Sequence, residues 1–402
     1  MPDSSARSVD RLAADAPILI AGAGVAGLTA ALSLHRAGFA NIRIADAGAE
    51  DAEPAVGLSL PPTAVRELAA LGLLDAVQGR AVRLSTLELR SSSGALLQRD
   101  ARGVEAGYGW PHLSVHGEVL LEELRAAVAE RLGPDAIAVG TRVVGAEGAA
   151  GAVRVRVQDS ATGFAGERTL RAAVVIGADG LDSALRRQLR PEEGEPIEHG
   201  STVLHGLAWC RPFGDACTMR VVGDDRRRLV VAPVLHRSGP LDLTHWTTTV
   251  RAPAAGLRTP AARRAAVTAA FDGWSLADLS LADLFAATDE VGAWSVVDRA
   301  PLDTWIRGGV VLVGDAAHPI YPAGPGGASQ AILDARVLAR QLTERPAPLA
   351  LEGYDAERRR AIDLLQRRLL GRSLELALAD PGDEPDEVNA RPSLDPPKGL
   401  VV

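Results

Sequence analysis

Short apolar runs alternate with helix-like segments along most of the chain. Residues 18–21 are all apolar, as are residues 174–176 and 310–313, while residues 42–45 are apolar except for Arg43. Continuous apolar runs of this length are typical of strands in a parallel sheet that is covered on both faces. The pattern therefore predicts a core of parallel strands and helices.

Residues 202–250 follow a different pattern. Several short apolar runs are separated there by turn signals, among them Gly223-Asp224-Asp225 and Ser238-Gly239-Pro240, and this favours an antiparallel sheet. Helical periodicity returns at residues 328–342 and again from about residue 351 to residue 378. We therefore predict an α/β chain that is interrupted by a β-rich insert and ends in helices.

Composition and charge remove several classes of function. The chain has 402 residues, of which 47% are hydrophobic and 23% are charged, and its formal net charge is −8. These values are ordinary for a globular protein. The acidic balance argues against nucleic acid as a partner, because phosphate contacts need a basic face. The only lysine is Lys398, which excludes a mechanism that needs a catalytic lysine in the fold.

The two cysteines and the longest uncharged stretch indicate the cellular location of the protein. Cys210 and Cys217 match neither a metal-binding knuckle nor a redox pair, so we predict no metal site and a cytoplasmic location. Residues 17–34 carry no charge, but no positive region precedes them and they contain three glycines, so we reject a signal peptide or membrane span there. Residues 1–15 and 380–402 are predicted to be disordered.

A glycine-rich turn follows the first apolar run. Gly22, Gly24 and Gly27 stand at G-x-G-x-x-G spacing before a helix-like segment that ends near Gly38. The first glycine permits a tight bend, the second lets the backbone approach a pyrophosphate, and the third lets helix and strand pack closely. Asp46 ends the second apolar run, where a carboxylate can accept hydrogen bonds from ribose hydroxyls. The spacing predicts a dinucleotide site for FAD or NAD(P), and a glycine-rich packing turn is the alternative.

Two further segments place an acid just after an apolar run. Residues 174–176 lead into Gly177-Ala178-Asp179-Gly180, where Asp179 alone would indicate only a helix N-terminal acid. Residues 310–313 lead into Gly314-Asp315, then to Pro322 and to Gly324-Pro325-Gly326-Gly327-Ala328, which opens a helix. The three segments together are much more specific than any one of them.

Together these segments resemble those of the FAD-dependent aromatic hydroxylases, the single-component flavoprotein monooxygenases of the p-hydroxybenzoate hydroxylase type. The resemblance spans about residues 17–375. The runs at residues 102–107, 114–116 and 326–335 are most similar to the phenazine-modifying branch, whose known member acts on 5-methylphenazine-1-carboxylate.

The resemblance implies an α/β fold in which a Rossmann-like FAD-binding domain carries an inserted β-rich substrate domain and C-terminal helices. It assigns residues 16–75, 108–190 and 296–345 to the discontinuous FAD-binding domain, residues 76–107 and 191–295 to the substrate domain, and residues 346–379 to the C-terminal helical segment.

The resemblance also implies roles for individual residues. The glycine turn and Asp46 would bind the ADP half of FAD, Asp179 would lie near the pyrophosphate, and Asp315 would anchor the ribityl chain. The helix that begins near Gly327 would aim its N–H groups at negative charge on the flavin. Pro322 is the expected catalytic residue, because the matching family proline places its carbonyl beside the peroxide. The expected cofactor contacts are Gly22, Gly24, Val25, Ala26, Gly27, Asp46, His116, Asp179, Gly314, Asp315, Pro322, Gly326, Gly327 and Ala328.

The implied reaction consumes NAD(P)H, O2 and a small aromatic or nitrogen-heteroaromatic substrate. NAD(P)H would reduce FAD, dioxygen would add at flavin C4a, and the hydroperoxide would transfer oxygen to the ring. Two alternatives stay open. One is a flavoprotein of the same fold that does not hydroxylate, and the other is a non-catalytic flavin-binding protein. The sequence is silent on the oligomeric state.

The chain departs from the family pattern at several positions. His116 stands where the family usually carries Arg or Gln, so a shorter side chain would meet the flavin. Asp46 replaces the commoner Glu and Ala47 a following Arg, which implies fewer contacts with the ribose and pyrophosphate. His205-Gly206 replaces an Arg-Gly pair that is common on the substrate-side strand.

Several aromatic and basic residues allow two interpretations. His318 is either an acid or relay near the flavin or, by preference, a hydrogen-bonded structural histidine. Of the four tryptophans at positions 209, 246, 274 and 294, we expect most in the core and one or two beside substrate. Arg211 and His236 could anchor an acidic substrate, but a surface or structural role is preferred.

Overall fold

A computed structural model of the chain describes residues 11–48, 56–159, 166–224, 227–320 and 326–371. Within these ranges the chain forms nineteen strands and nine α-helices. The strands are β1 (Ile18–Ala21), β2 (Ile42–Asp46), β3 (Gly57–Leu60), β4 (Ala81–Leu84), β5 (Thr86–Ser91), β6 (Leu96–Ala101), β7 (His112–His116), β8 (Ile137–Val139), β9 (Thr141–Glu147), β10 (Val153–Asp159), β11 (Glu167–Ala172), β12 (Val174–Gly177), β13 (Ile197–Cys210), β14 (Thr218–Gly223), β15 (Arg228–Leu235), β16 (Asp242–Val250), β17 (Gly292–Asp298), β18 (Ile306–Arg307) and β19 (Val310–Leu312). The helices are α1 (Val25–Arg36), α2 (Pro62–Ala70), α3 (Leu74–Gln78), α4 (Gly117–Leu132), α5 (Ala184–Leu189), α6 (Pro260–Ala270), α7 (Leu281–Ala286), α8 (Gly327–Glu344) and α9 (Ala347–Gly371).

The four apolar runs of the sequence form neighbouring strands of one sheet. Its order is β18-β19-β12-β1-β2-β8, and β1 pairs in parallel with both β12 and β2. Every residue of β1, β12 and β19 is buried, as expected for strands covered on both faces. The predicted parallel core is confirmed.

Helix α1 crosses the sheet and packs against α8. It begins at Val25, and Gly38 ends it as expected with a φ of +96°. Glycine tolerates this left-handed conformation because it has no Cβ.

The β-rich segment forms a seven-stranded sheet in the order β17-β13-β16-β15-β14-β5-β6. Neighbouring strands are antiparallel except for β14 and β5, which run parallel. Helices α6 and α7 cover one face, where Trp246 and Phe285 join a buried apolar cluster. The antiparallel sheet expected over residues 202–250 is confirmed.

A three-stranded sheet, β3-β7-β4, contacts the seven-stranded sheet, because β15 approaches both β7 and β4. Two strand pairings differ from the expected domain division. Strand β4 lies in the stretch expected in the substrate domain, yet it pairs with β7, and residues 296–298 extend β17 of the seven-stranded sheet. Both depend on long-range pairing, which no local pattern encodes.

Part of the N-terminal segment that was predicted to be disordered is ordered, because the carbonyl of Ala14 accepts a hydrogen bond of 2.8 Å from the amide of Ala40. No helix in the described part of the chain combines the length and the apolar character that crossing a membrane requires.

Candidate functional site

Four acidic or glycine-rich turns meet at one edge of the parallel sheet. Strands β1, β2, β12 and β19 are consecutive parallel neighbours, so their carboxyl ends lie side by side. Gly22 follows β1, Asp46 ends β2, Asp179 follows β12 and Asp315 follows β19. Ligands of open α/β sheets bind outside the carboxyl ends of the strands.

The three glycines of the first turn have three different surroundings. Gly22 has a φ of +100°, and a Cβ there would collide with the carbonyl oxygen of Ala178. A Cβ on Gly27 would collide with the carbonyl oxygen of Gly22, whereas one on Gly24 would meet no atom within 4 Å. Gly22 and Gly27 therefore permit close packing, and Gly24 presents bare backbone to open space.

Asp46 holds the glycine turn through backbone hydrogen bonds. Its Oδ2 accepts from the amide of Ala23 at 2.6 Å, and its Oδ1 accepts from the amide of Gly48 at 2.8 Å. The carboxylate thus links the end of β2 to the start of α1.

Asp179 caps the short helix α5. It accepts hydrogen bonds from the Ser183 hydroxyl at 2.6 Å and from the Ala184 amide at 2.9 Å. Burial raises the pKa of the Asp179 carboxyl, although these hydrogen bonds oppose the shift. Asp179 is therefore an acid at a helix N-terminus, as its sequence position indicated, and it lies at the same sheet edge as the glycine turn.

Arg186 joins the second and third segments. It lies on α5, is 1% exposed, and donates to the carbonyls of Ala316 at 3.1 Å and Ala317 at 2.8 Å. Glu193 accepts from the same guanidinium at 2.6 Å. The turn after β12 is therefore fixed to the turn after β19.

Gly314 and Asp315 lie against the starts of α1 and α8. Gly314 has a φ of +60°, and a Cβ there would lie 2.9 Å from the Cβ of Ala26. A Cβ on Gly327 would lie 3.7 Å from Oδ1 of Asp315. Asp315 is exposed. The protein around its carboxyl nevertheless displaces part of the surrounding water, and this loss of hydration raises the pKa of the carboxyl.

His318 belongs to a buried hydrogen-bond network beneath this turn. Its Nε2 lies 2.6 Å from Oδ2 of Asp334, which also accepts from the amide of Gly314 at 2.8 Å. Arg358 of α9 donates to the other Asp334 oxygen at 2.7 Å. Burial would raise the pKa of Asp334, but the charges of His318 and Arg358 outweigh it and lower that pKa. His318 is thus a hydrogen-bonded structural histidine.

Two helices begin at this edge without a capping side chain. Gly24 is the N-cap of α1 and Gly326 that of α8, and neither can offer a side-chain oxygen to the first N–H groups. Side chains cap α4 to α7, namely His116, Ser183, Thr259 and Ser280, whereas α2 and α3 also begin without a side-chain cap. Bare N–H groups and the positive end of the helix dipole suit an anionic ligand.

A cavity of about 650 Å³ opens beside the first turn. Its lining includes Gly22, Ala47 and Asp179, together with Arg142 of β9 and Arg187 of α5. The sequence analysis missed both arginines, because they come from elements distant in sequence. An open cavity that is lined by arginines and lies beside the glycine turn fits the adenosine and pyrophosphate of a dinucleotide such as FAD.

The remaining expected contacts lie in three places. Val25 and Ala26 open α1, and Gly327 and Ala328 open α8. His116 ends β7 in the three-stranded sheet, and its Nδ1 accepts from the amide of Glu118 at 3.2 Å. Burial lowers the pKa of His116. Pro322 lies outside the described residues, as do Gly324 and Pro325.

The four tryptophans divide between the two faces of the seven-stranded sheet. Trp246 is fully buried and donates from Nε1 to Thr288 at 2.8 Å, and Trp274 packs on Phe271. Trp209 and Trp294 are half-buried on strands of the opposite face. Arg211 is exposed, and His236 lies 3.0 Å from Asp242 in an ion-pair geometry.

Comparison with known proteins agrees with this geometry. The family described as "FAD binding domain" matches residues 15–368. The chain is 35% identical over 351 residues to the phenazine 1,6-dicarboxylic acid hydroxylase of Lysobacter antibioticus, a match that covers 85% of this chain and 86% of that protein. It is 30% identical over 364 residues to the 6-hydroxynicotinate 3-monooxygenase of Pseudomonas fluorescens, covering 87% and 89%.

Solved structures share the fold. HpxO of Klebsiella pneumoniae, complexed with FAD and uric acid, matches with a TM-score of 0.73 at 24% identity and covers 94% of this chain and 90% of its own. The 2-methyl-3-hydroxypyridine-5-carboxylic acid oxygenase matches with a TM-score of 0.67 over 88% and 89%. With a family match over nearly the whole described chain, the protein belongs to the FAD-binding-domain family of flavoprotein monooxygenases, enzymes that use FAD as cofactor and NAD(P)H as electron donor.

Proposed function

We propose that the enzyme hydroxylates a small aromatic or nitrogen-heteroaromatic molecule, with NAD(P)H and O2 as co-substrates. One observation carries the proposal. The uncapped starts of α1 and α8 lie at the same sheet edge as Asp46, Asp179 and Asp315, an arrangement that suits one extended flavin dinucleotide.

We assign the ADP half of FAD to the first turn and its cavity. Gly24 leaves room for the pyrophosphate, and the amides of Val25, Ala26 and Gly27 can donate to it. Gly22 and Asp46 hold this turn in shape. Because Ala47 lines the cavity without a charge, Arg142, Arg156 and Arg187 are the cations that line the adenosine end.

We assign the ribityl chain and flavin to the turn after β19 and the start of α8. Asp315 is the proposed ribityl anchor, Gly314 gives it close access, and Asp179 lies near the pyrophosphate. The N–H groups of Gly326, Gly327 and Ala328 would stabilise negative charge on the flavin, because a helix N-terminus carries a positive partial charge. His116 and Pro322 keep their proposed contacts, and Pro322 its proposed catalytic role, on the family resemblance.

Bound FAD supplies the chemistry of hydride uptake from NAD(P)H and of oxygen activation. The protein binds and orients the substrate beside it and excludes water. The substrate is expected in the phenazine class, because a phenazine hydroxylase is 35% identical to this chain and other matched enzymes carry the names of pyridine and aminobenzoate substrates.

The test is product analysis with labelled oxygen. FAD-loaded protein is incubated with NADH or NADPH, ¹⁸O2 and a panel of phenazines, pyridines and phenols, and products are identified by mass spectrometry. One ¹⁸O atom in one product is the expected result. Protein that takes up FAD and consumes NAD(P)H but returns only hydrogen peroxide with every compound would contradict the proposal.

A further inference from the structure

One face of the seven-stranded sheet is turned away from helices α6 and α7. Along β16 the residues alternate between buried and half-buried positions, and the buried ones, such as Trp246, face helices α6 and α7. The half-buried positions include Leu243, His245 and Thr247, which pair across to β13 at Trp209, Leu207 and His205. These side chains therefore share the face that is turned away from the helices.

Two glycines make room for two histidines on this face. His205 pairs with Gly292 of β17, and a Cβ on Gly292 would collide with the imidazole of His205. Gly57 of β3 is equally close to His245, since a Cβ there would lie 2.5 Å from the Cβ of His245. Each imidazole thus lies over the backbone of a neighbouring strand, where any other residue would displace it.

Both histidines have buried ring nitrogens that lack hydrogen-bond partners among the described residues. His205 is 0% exposed, and neither Nδ1 nor Nε2 of its ring has a partner. Nε2 of His245 is likewise buried without one. An unpaired buried polar group costs about 1–3 kcal/mol, and native structures rarely keep one without a reason.

The surroundings keep both imidazoles neutral. Burial lowers the pKa of His205 to about 4 and that of His245 to about 3. The positive charge of Arg263 also lowers the pKa of His205. The Arg263 guanidinium itself donates hydrogen bonds to the carbonyls of Leu257 and Val291. A neutral imidazole carries one N–H donor and one acceptor nitrogen.

Aromatic surface completes the arrangement. The Trp294 ring lies 4.3 Å from that of His205, at an interplanar angle of 36°. Gly57 pairs with His116, so His245 lies next to the strand that carries the proposed flavin contact. A flat ring bound on this face would meet an aromatic wall and two neutral imidazole edges.

We propose that His205 and His245 are substrate-positioning residues, and that the substrate is a neutral nitrogen heteroaromatic that offers both a ring-nitrogen acceptor and an amino or hydroxyl donor. Such a ring can accept from the N–H of one imidazole and donate to the bare nitrogen of the other, since the two ring centroids lie 6.5 Å apart. A carboxylate satisfies only donors, so it would leave an acceptor nitrogen of the neutral imidazoles unpaired. This inference rests on the proposed function and specifies its substrate class.

The experiment compares ligands of equal shape on the FAD-loaded enzyme. Dissociation constants are measured at pH 7.5 by protein fluorescence quenching for 2-aminophenazine, phenazine-2-carboxylate and phenazine. We expect 2-aminophenazine to bind at least about tenfold more tightly than either other probe, the ratio that one buried hydrogen bond supplies.

Variants locate the effect. His205→Phe keeps an aromatic shape without polar atoms. It is expected to reduce the preference for 2-aminophenazine over the other two probes to about twofold, and His205→Gln should restore part of this preference. Gly292→Ala, which displaces the imidazole without removing it, is a second variant with the same expected loss. His35→Gln, on the last turn of α1, is the control and should keep the ratio of the original enzyme.

The outcomes separate the two proposals. Equal or tighter binding of phenazine-2-carboxylate, no binding of any probe, or an unchanged ratio in both His205→Phe and Gly292→Ala would overturn the role of these histidines while FAD remains bound. Protein that takes up no FAD would overturn the proposed function as well.

Discussion

Three buried histidines set the acid response of this protein at the scale of single residues. Burial lowers the pKa of His112 to about 3, that of His205 to about 4 and that of His245 to about 3, from an ordinary value of 6.5. Above pH 6.5 these groups are neutral in both the folded and the unfolded chain. Below it the unfolded chain takes up protons that the folded chain refuses, so stability falls as the pH falls towards 4.

We expect each of these histidines to remove about 1.4 kcal/mol of unfolding free energy per pH unit between pH 6.5 and pH 4. His205→Phe should therefore show a shallower decline than the original protein, by about that amount per unit. Urea unfolding at pH 7, 6 and 5 measures both slopes. Parallel slopes would mean that His205 takes up its proton at the same pH in the folded and the unfolded chain.

The glycines of the first turn should respond differently to the same substitution. A Cβ on Gly27 has no room, so Gly27→Ala is expected to cost about 3 kcal/mol or more of stability. A Cβ on Gly24 meets nothing, so Gly24→Ala should leave the protein without FAD within about 0.5 kcal/mol of the original. It should nevertheless weaken FAD binding about tenfold or more, because the methyl group points into the proposed pyrophosphate position.

Urea unfolding without FAD and titration of FAD by flavin fluorescence measure the two quantities separately. Equal loss of stability in Gly24→Ala and Gly27→Ala would contradict the packing argument. Unchanged FAD affinity in Gly24→Ala would contradict the assignment of the pyrophosphate.

At the scale of elements, Asp334 ties two helices to the proposed flavin turn. It is fully buried on α8 and binds His318, Arg358 of α9 and the amide of Gly314. Removing one member of a buried ionic network leaves the other charges uncompensated, which typically costs 3–5 kcal/mol. The turn that carries Asp315 depends on this network for its position.

Asp334→Asn is therefore expected to lower stability by about 3 kcal/mol and to weaken FAD binding. Glu357→Gln is the matched control, because Glu357 pairs with Arg340 across the exposed faces of α8 and α9 and such pairs contribute about 1 kcal/mol or less. Thermal unfolding and FAD titration of both variants test this. Equal effects of the two substitutions would show that burial of the Asp334 network does not determine how much stability and FAD affinity are lost.

At the scale of the whole molecule, one ligand is expected to join segments far apart in the chain. The sheet edge takes its turns from residues near 22, 46, 179 and 315, so a dinucleotide bound there links them only in the folded state. FAD should then shift the equilibrium towards the folded chain by mass action.

FAD at a hundred times its dissociation constant is expected to raise the free energy of unfolding by about 2.7 kcal/mol. Flavin mononucleotide, which lacks the adenosine half, should raise it less at the same concentration, because the cavity beside Gly22 and Arg142 would stay without its ligand. Urea unfolding with each flavin measures the difference. Equal stabilisation by both flavins would place the adenosine outside this cavity.

Much of the fold could be predicted from the local pattern of apolar and turn residues. Buried parallel strands are apolar throughout, so β1, β12 and β19 were recognisable. The antiparallel sheet was visible from its turns, although the pairing of β4 with β7 was not. Strand pairing depends on contacts between residues distant in sequence, and apolar periodicity does not choose among partners.

The site divides in the same way. The glycine spacing and the acids after β2, β12 and β19 lie close together in sequence, and their chemistry determined the dinucleotide hypothesis. Arg142, Arg187 and the paired imidazoles carry no local signal. The sequence indicated His205 only as a departure from a family pattern, and it gave no indication of His245.

The amino-acid sequence by itself determined which backbone segments can bend around phosphate, because a missing Cβ acts within a single turn. Tertiary structure alone decided which face of the seven-stranded sheet is turned away from helices α6 and α7 and which histidines lie over Gly57 and Gly292. The reason is that a side chain's burial and protonation depend on what the rest of the chain packs against it, and that packing is long-range.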